Sequence, residues 1–486
     1  MAERIKADIC VIGAGSGGLS VAAAAAAFGV SVVLIEKGKL GGDCLNTGCV
    51  PSKSLIAAAK HARAVARGPS FGVSTSSLEI DFAGVHEHVR KVIAAIEPND
   101  SKERFTGLGV RVIEGAARFK NRRTVAVGED TEIRARRFVI ATGSSPAVPP
   151  IAGLDTTAHL TNETVFDLVT RPEHLIVIGA GPVGLELAQA FRRLGAKVTM
   201  LEAARPLAHE DPECAAVVVD ALAREGVGLR SGVSVVRVEG QQPQDGAPEP
   251  LPGSRIKVIV RAGDGEETIE GSHLLVAAGR RANADGLGLD QAGIKHDGHG
   301  IVVDEGLRTA NKRVYAIGDV AGRGQFTHLA NYHAGLVIRN ALFRQRVEAN
   351  EQLLPRVTFT DPELAHVGLA EADAREKRIK INVLRWPYHE NDRAQAERET
   401  LGHIKVITDR KGRILGATIV GASAGELITT WTLAISQRLN IRAFTGIVVP
   451  YPTLAEIGKR AAITYFIPGL TQNWVRRLVA FLRRFG

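Results

Sequence analysis

The segment GGDCLNTGCVPSK, residues 41–53, holds Cys44 and Cys49 five positions apart among glycines, and they are two of only four cysteines in the chain. A scattered cysteine usually serves as a small buried hydrophobe, but a close pair flanked by glycine can close a ring, bind a metal or carry redox chemistry. The other two, Cys10 and Cys214, fall in an apolar strand-like run and a helix-like segment. That is not the disulfide framework of a small secreted protein, and a reducing compartment is expected.

Chemistry of this kind needs a scaffold, and the flanking sequence supplies two. ADICVIGAGSGGLS is an apolar strand running into Gly13, Gly15 and Gly18, followed by a helix-forming alanine stretch, a second strand VSVVLI and Glu36. Such glycines permit a tight turn and close approach of backbone to a pyrophosphate, the helix N-terminus attracts its charge, and the acid suits a ribose diol. The arrangement recurs at LIVIGAGPVGLE, with Gly179, Gly181 and Gly184, then AKVTML and Glu202; Gly279 in VAAGRR is counted with this second site. A lone glycine fingerprint is weak evidence, but here Gly13 to Glu36 and Gly179 to Glu202 share one spacing. An α/β chain with two Rossmann-like dinucleotide-binding domains is predicted. Glu202 favours NADH over NADPH, since a carboxylate repels a 2′-phosphate and Arg205 is the one nearby cation.

With two nucleotide sites placed, the metal reading of the cysteines weakens: the spacer has no second Cys/His pair nearby to complete a zinc site, and no metal is expected. Together with VYAIGDVAG and FTDPELAHVG, the CxxxxC segment resembles the class I flavoprotein disulfide reductases, among them dihydrolipoamide dehydrogenase, glutathione reductase and mercuric reductase; the resemblance runs to about residue 465. It implies that the first fold binds FAD and the second a nicotinamide dinucleotide. Gly13, Gly15, Gly18 and Glu36 would then hold the adenosine half of FAD, Thr142 and Gly143 would close over it, and Asp319 would reach the ribityl chain. Cys49 matches the thiol that contacts the flavin, Cys44 the interchange thiol that meets substrate, Lys53 the residue beside the flavin and Glu186 its ion-pair partner. A helix start and the Lys53 charge would favour thiolate.

The implied layout is an FAD-binding domain in two parts, 1–150 and 277–350, a nicotinamide domain at 151–276, an α+β dimerisation domain at 351–468 and a tail at 469–486. The stretch GQQPQDGAPEPLPGS reads as a loop within the nicotinamide domain. A homodimer is expected. In the disulfide-substrate branches of the family, a His-Pro segment and a following Glu serve the interchange thiol. This chain reads VPYPTLAE, placing Tyr451 at the histidine position and keeping Glu456. A phenol with a reference pKa of ~10 is a poor general base at neutral pH, which counts against lipoamide and glutathione. Mercuric reductases carry a similar Pro-Tyr segment, but with paired C-terminal cysteines and an N-terminal metal-capture domain that this sequence does not show. The acceptor is therefore read as an unidentified disulfide or small electrophile. The alternatives are a mercuric or other soft-metal reductase, a dihydrolipoamide dehydrogenase, or a non-catalytic flavoprotein sensor.

A net charge of +9 is spread along the chain and is concentrated only at its C-terminus, so nucleic acid is not an expected partner. The start shows no leader pattern, and VAAAAAAF is too short to span a bilayer, which points to the cytoplasm. In the tail TQNWVRRLVAFLRRFG, residues 471–486, helical winding puts Trp474, Val475, Leu478, Val479, Phe481, Leu482 and Phe485 on one side. Arg476, Arg477, Arg483 and Arg484 fall on the other. Such a helix either packs on the dimer or lies peripherally at the inner face of a membrane.

Overall fold

The computed structural model describes residues 3–241, 255–263, 265–470 and 472–485; from residue 242 on, the loop expected at 240–254 lies outside them. The chain forms two compact units, Met1–Gly179 with Ala190–Leu201 and Val233–Ala349, and Ala180–Gln189 with Glu202–Gly232 and Asn350–Gly486.

In the first unit, strand β1 (Glu3–Ile12) leads into helix α1 (Ser16–Ala27) and strand β2 (Val32–Glu36). The sheet order is Val110–Glu114, β2, β1, Thr131–Ile140, Thr124–Val127, Ala117–Asn121, with Val314–Ala316 paired to Thr131–Ile140. The β1–β2 and β1 to Thr131–Ile140 ladders are parallel. Parallel strands covered on both faces read as unbroken apolar runs, and Ile9, Cys10, Val11 and Ile12 are all buried. The alanines of α1 let that helix approach closely: Ala22 and Ala25 join Ala334 and Val337 of helix Thr327–Phe343 in one core. A second parallel set places His174–Ile178 between Lys197–Glu202 and His273–Val276. Both glycine fingerprints therefore follow a buried parallel strand.

The turn after β1 depends on glycine. Gly13 has φ +102°, and a Cβ there would sit 2.4 Å from the Ala141 carbonyl oxygen; Gly179 repeats this with φ +105° and 2.4 Å to Ala277. No side chain fits either place.

The second unit contains an antiparallel sheet in the order Arg356–Thr358, Glu363–Gly368, Ile414–Gly421, His403–Asp409, Ile381–Pro387. Helix Ala424–Ser436 covers it, with Trp431 stacked on Phe444 at 4.0 Å between ring centroids. The basic amphipathic segment forms a helix over Asn473–Leu482, shorter than the expected winding through 471–486, and Arg483 serves as its C-cap. Its apolar side is exposed, Trp474 at 62% and Phe481 at 54%. Among the described residues, no helix is long and apolar enough to cross a membrane.

Candidate active site

Cys44 lies in the short helix α2 (Gly42–Asn46), and Cys49 is the first residue of helix α3 (Cys49–Arg67). Gly41 and Gly48 make this path available: Gly41 is left-handed at φ +86°, and a Cβ on Gly48 would come within 2.8 Å of the Asp43 carbonyl oxygen. No disulfide joins the two cysteines in this structure. The Cys44 thiol donates to Cys49, and this bond, more than any other cause, holds Cys49 down to about 6 and pushes Cys44 up. Burial opposes the shift at Cys49, while Thr327 and the positive charge of Lys53, one turn along α3, reinforce it. The Cys49 Sγ is 3.3 Å from Thr327 Oγ1 at the start of helix Thr327–Phe343. A thiolate at the N-terminus of a 19-residue helix, beside a cation and a hydroxyl donor, is the form that attacks disulfides and binds soft metals.

Asp319 is mostly buried, and burial raises its pKa against the Ser144 hydroxyl, which donates to its Oδ2 at 2.6 Å. Thr142 Oγ1 donates to the Asn283 carbonyl at 2.7 Å, and Asn283 N donates to the Gly143 carbonyl at 2.9 Å. The two glycine turns match atom for atom. Glu36 accepts from Ala14 N at 2.6 Å and Gly38 N at 2.8 Å; Glu202 accepts from Ala180 N at 2.7 Å and Ala204 N at 2.8 Å. Around Gly15 no atom comes within 3.9 Å of a built Cβ, and around Gly181, Gly143 and Gly279 nothing comes within 4 Å. Backbone open at a helix start, with an acid fixed at the next strand's end, is a cradle that fits a dinucleotide pyrophosphate and ribose.

The first unit thus brings Cys44, Cys49, Lys53, Thr142, Gly143 and Asp319 together with Gly13, Gly15, Gly18 and Glu36, and it also carries Gly179 and Gly279. Gly181, Gly184, Glu186, Glu202, Tyr451 and Glu456 belong to the second. Glu186 is buried there and accepts from Phe359 N at 2.9 Å. Tyr451 is 70% exposed, and its phenol donates to Asp392 at 2.8 Å, which raises its pKa further. Glu456 opens helix Glu456–Thr464. Among the described residues, no group of three or more His, Cys, Asp or Glu side chains could hold a metal ion.

Sequence reading missed Thr327, Arg280, Ser144 and Asn162. Arg280 donates to Ser144 and Asn162 and lies 3.1 Å from Asp43. The available signal was its place directly after Gly279, in AAGRRAN.

The model of the pyridine nucleotide-disulphide oxidoreductase family matches residues 7–334, and that of its dimerisation domain matches residues 354–462. The chain belongs to this family, whose members are FAD-dependent enzymes that use NAD(P)H and act on sulfur groups of donors. It is 36% identical over 461 residues to a mercuric reductase of Bacillus cereus, covering 94% of this chain and 71% of that protein. It is 34% identical over 466 residues to dihydrolipoyl dehydrogenase 3 of Pseudomonas aeruginosa, covering 94% and 97%. Among solved structures it resembles the HOCl-induced flavoprotein disulfide reductase RclA of Escherichia coli, with a TM-score of 0.81 at 27% identity, covering 94% of this chain and 99% of that one. The dimerisation domain supports a homodimer.

Proposed function

We propose that this chain is an NADH-dependent flavoprotein reductase that delivers two electrons through Cys49 and Cys44 to a small disulfide or other soft electrophile. The observation that carries this reading is Cys49 at the first position of helix Cys49–Arg67, its sulfur 3.3 Å from the Thr327 hydroxyl, with Cys44 in the short helix just before it. FAD, when bound, supplies two-electron transfer between nicotinamide and thiols. Gly13, Gly15, Gly18, Glu36, Thr142, Gly143 and Asp319 would hold it, and Gly179, Gly181, Gly184, Glu202 and Gly279 would hold NADH. For Lys53 and Glu186 we adopt the roles that the family resemblance implies. The domain division we adopt is 1–150 with 277–350 for FAD, 151–276 for NADH and 351–468 for dimerisation.

Against a disulfide, Cys44 sulfur attacks one sulfur as its proton passes along the hydrogen bond to Cys49, and the first thiolate leaves. Cys49 then gives up the proton to that product, attacks the mixed disulfide at Cys44 and expels the second thiolate, so the Cys44–Cys49 disulfide carries away the two-electron oxidation. Anaerobic titration with NADH, followed by disulfides, Hg(II), quinones and aldehydes, tests the reading. A long-wavelength thiolate absorbance should appear, and Cys49→Ser should lose both the absorbance and turnover with the acceptor while keeping FAD. A Cys49→Ser enzyme that still reduces the acceptor refutes it.

The second reading, a soft-metal reductase, is favoured by Tyr451: its raised pKa suits an acceptor that needs thiolate ligands and electrons more than a proton donor. Hg(II) as the preferred acceptor in the same panel would select it. We also place the protein in the cytoplasm, with the tail as a peripheral contact to anionic lipid. The support is the exposed apolar face of Asn473–Leu482 and the four arginines at Arg476, Arg477, Arg483 and Arg484. Co-sedimentation with anionic liposomes should require the residues after Gly469; equal pelleting of the truncated chain rules this out.

A further inference from the structure

Strands Ser144–Pro146 and Arg280–Ala282 pair antiparallel, with Arg281 opposite Ser145. The Arg280 side chain is only 17% exposed, and all three of its nitrogens are engaged. Nε donates to Ser144 Oγ at 2.7 Å, Nη1 donates to Asn162 Oδ1 at 3.2 Å, and Nη2 donates to the Ser144 carbonyl at 2.8 Å. Nη2 also stands 3.1 Å from Asp43 Oδ2. Asp43 directly precedes Cys44, and its other oxygen accepts from Thr47 Oγ1 at 2.8 Å and Asn162 Nδ2 at 3.1 Å. Ser144 in turn donates to Asp319.

We propose that Arg280 is a positioning residue for the redox pair, clamping Asp43 of the thiol loop and Ser144, the holder of Asp319, with one planar guanidinium that also offsets the Asp43 charge beside the thiols. The inference rests on the disulfide-reductase reading above. An acid next to an interchange thiol works against thiolate formation, and the Asp43 charge raises the pKa of both Cys44 and Cys49. The Arg280 charge also favours ionised Asp319 against its burial. A fork of donors in fixed geometry can satisfy Ser144, Asn162 and Asp43 at once, which a lysine ammonium on a flexible stem does not do.

The test follows the pH dependence of the long-wavelength thiolate absorbance in the NADH-reduced holoenzyme, with FAD content measured alongside. In the native chain the band should be half developed near the Cys49 pKa of about 6. Arg280→Met should move that midpoint up by a few tenths of a pH unit, since the effect reaches the thiol only through the uncovered Asp43 charge, the weakest of the influences on Cys49. Adding Asp43→Asn to that chain should bring the midpoint back. An unmoved midpoint in an FAD-replete Arg280→Met enzyme overturns the proposal, as does a double variant that stays displaced. If Arg280→Met does not fold, Asp43→Asn alone decides: a lowered midpoint supports the clamp, and an unchanged or raised one overturns it. A native enzyme with no band at any pH refutes the disulfide-reductase reading itself, an outcome distinct from an Arg280 variant that fails to shift it.

Discussion

The hydroxyl of Thr327 stands 3.3 Å from the Cys49 sulfur and joins two elements far apart in sequence, the start of helix α3 and the start of helix Thr327–Phe343. A hydroxyl that donates to a thiolate stabilises the charged form, so its loss raises the thiol pKa. A typical hydrogen bond is worth about 1 kcal/mol net, which is roughly 0.7 pH unit. Thr327→Val should move the Cys49 pKa up from about 6 by that amount. Acceptor reduction should then fall about threefold at pH 6 and be nearly unchanged at pH 8, where either enzyme is mostly thiolate. A loss of equal size at both pH values would mean that Thr327 acts by packing and not through the thiolate.

Glu202 bears on nucleotide choice. Arg205, the cation nearest to it in sequence, donates through Nη2 to the carbonyls of Ala208 and Glu210 at 2.7 and 3.1 Å, which turns its charge to its own loop. A 2′-phosphate would therefore meet the Glu202 carboxylate while the Arg205 guanidinium is held by its own loop. NADH should exceed NADPH in kcat/KM by about tenfold or more, equivalent to about 1.4 kcal/mol. Glu202→Gln keeps an acceptor for Ala180 N and should narrow that ratio. Equal kcat/KM for the two nucleotides in the native enzyme would remove the argument.

Why one part of the site could be read from sequence and another could not is visible in particular residues. Glu36 and Glu202 are contiguous with their strand, glycine turn and helix, so a local pattern specifies both the turn and the acid that closes it. Cys44 and Cys49 were legible for the same reason, since both lie on one short segment. The Arg280 contacts with Ser144 and Asp43 depend on a two-stranded ribbon between distant segments, and no periodicity announces that pairing. The identity of residue 451 was legible, but its bond to Asp392 comes from a fold in which those positions meet. The tail helix stops at Leu482 although the apolar pattern continues to Phe485, whose ring meets that of Phe481 at 5.1 Å just past the helix end.

Tyr451 offers a gain-of-function test. Its bond to Asp392 raises a pKa that is already too high for a base at neutral pH, so the native enzyme should show little acid–base dependence from this residue. Tyr451→His introduces an imidazole that titrates near neutrality. Turnover with small disulfides or lipoamide should rise by about tenfold or more, with a new falling limb in the pH profile. Tyr451→Phe should change little. A folded histidine variant without any gain would show that position 451 does not serve the interchange thiol.

Lys405 carries the last prediction. It is buried in strand His403–Asp409, with Nζ 2.7 Å from Asp211, 2.6 Å from Glu371 and 3.1 Å from Glu213. Asp211 also caps helix Pro212–Arg224 by accepting from Glu213 N and Cys214 N, so the cluster ties that helix to the sheet. Removing one member of a buried ion network typically costs about 3–5 kcal/mol, because the remaining charges are left unpaired. Lys405→Met should lower stability by that order at pH 7, read from denaturant unfolding, with the remaining ion pair of Arg385 and Glu213 limiting the loss. The pH dependence fixes the cause. Glu213 is held down to about 2, first by its hydrogen bond to Arg385 and also by Lys405, from an ordinary value of 4.5. A carboxylate with a depressed folded pKa contributes stability above its unfolded pKa, and that contribution is lost as pH falls from about 4.5 towards 2. Because Glu213 is 42% exposed, solvent screening makes its own share modest. The gap between native and Lys405→Met proteins should therefore be widest near neutrality and shrink below pH 5, where stranded carboxylates take up protons. A gap that stays constant from pH 7 to pH 4 would assign the loss to packing of the lysine stem rather than to its charge.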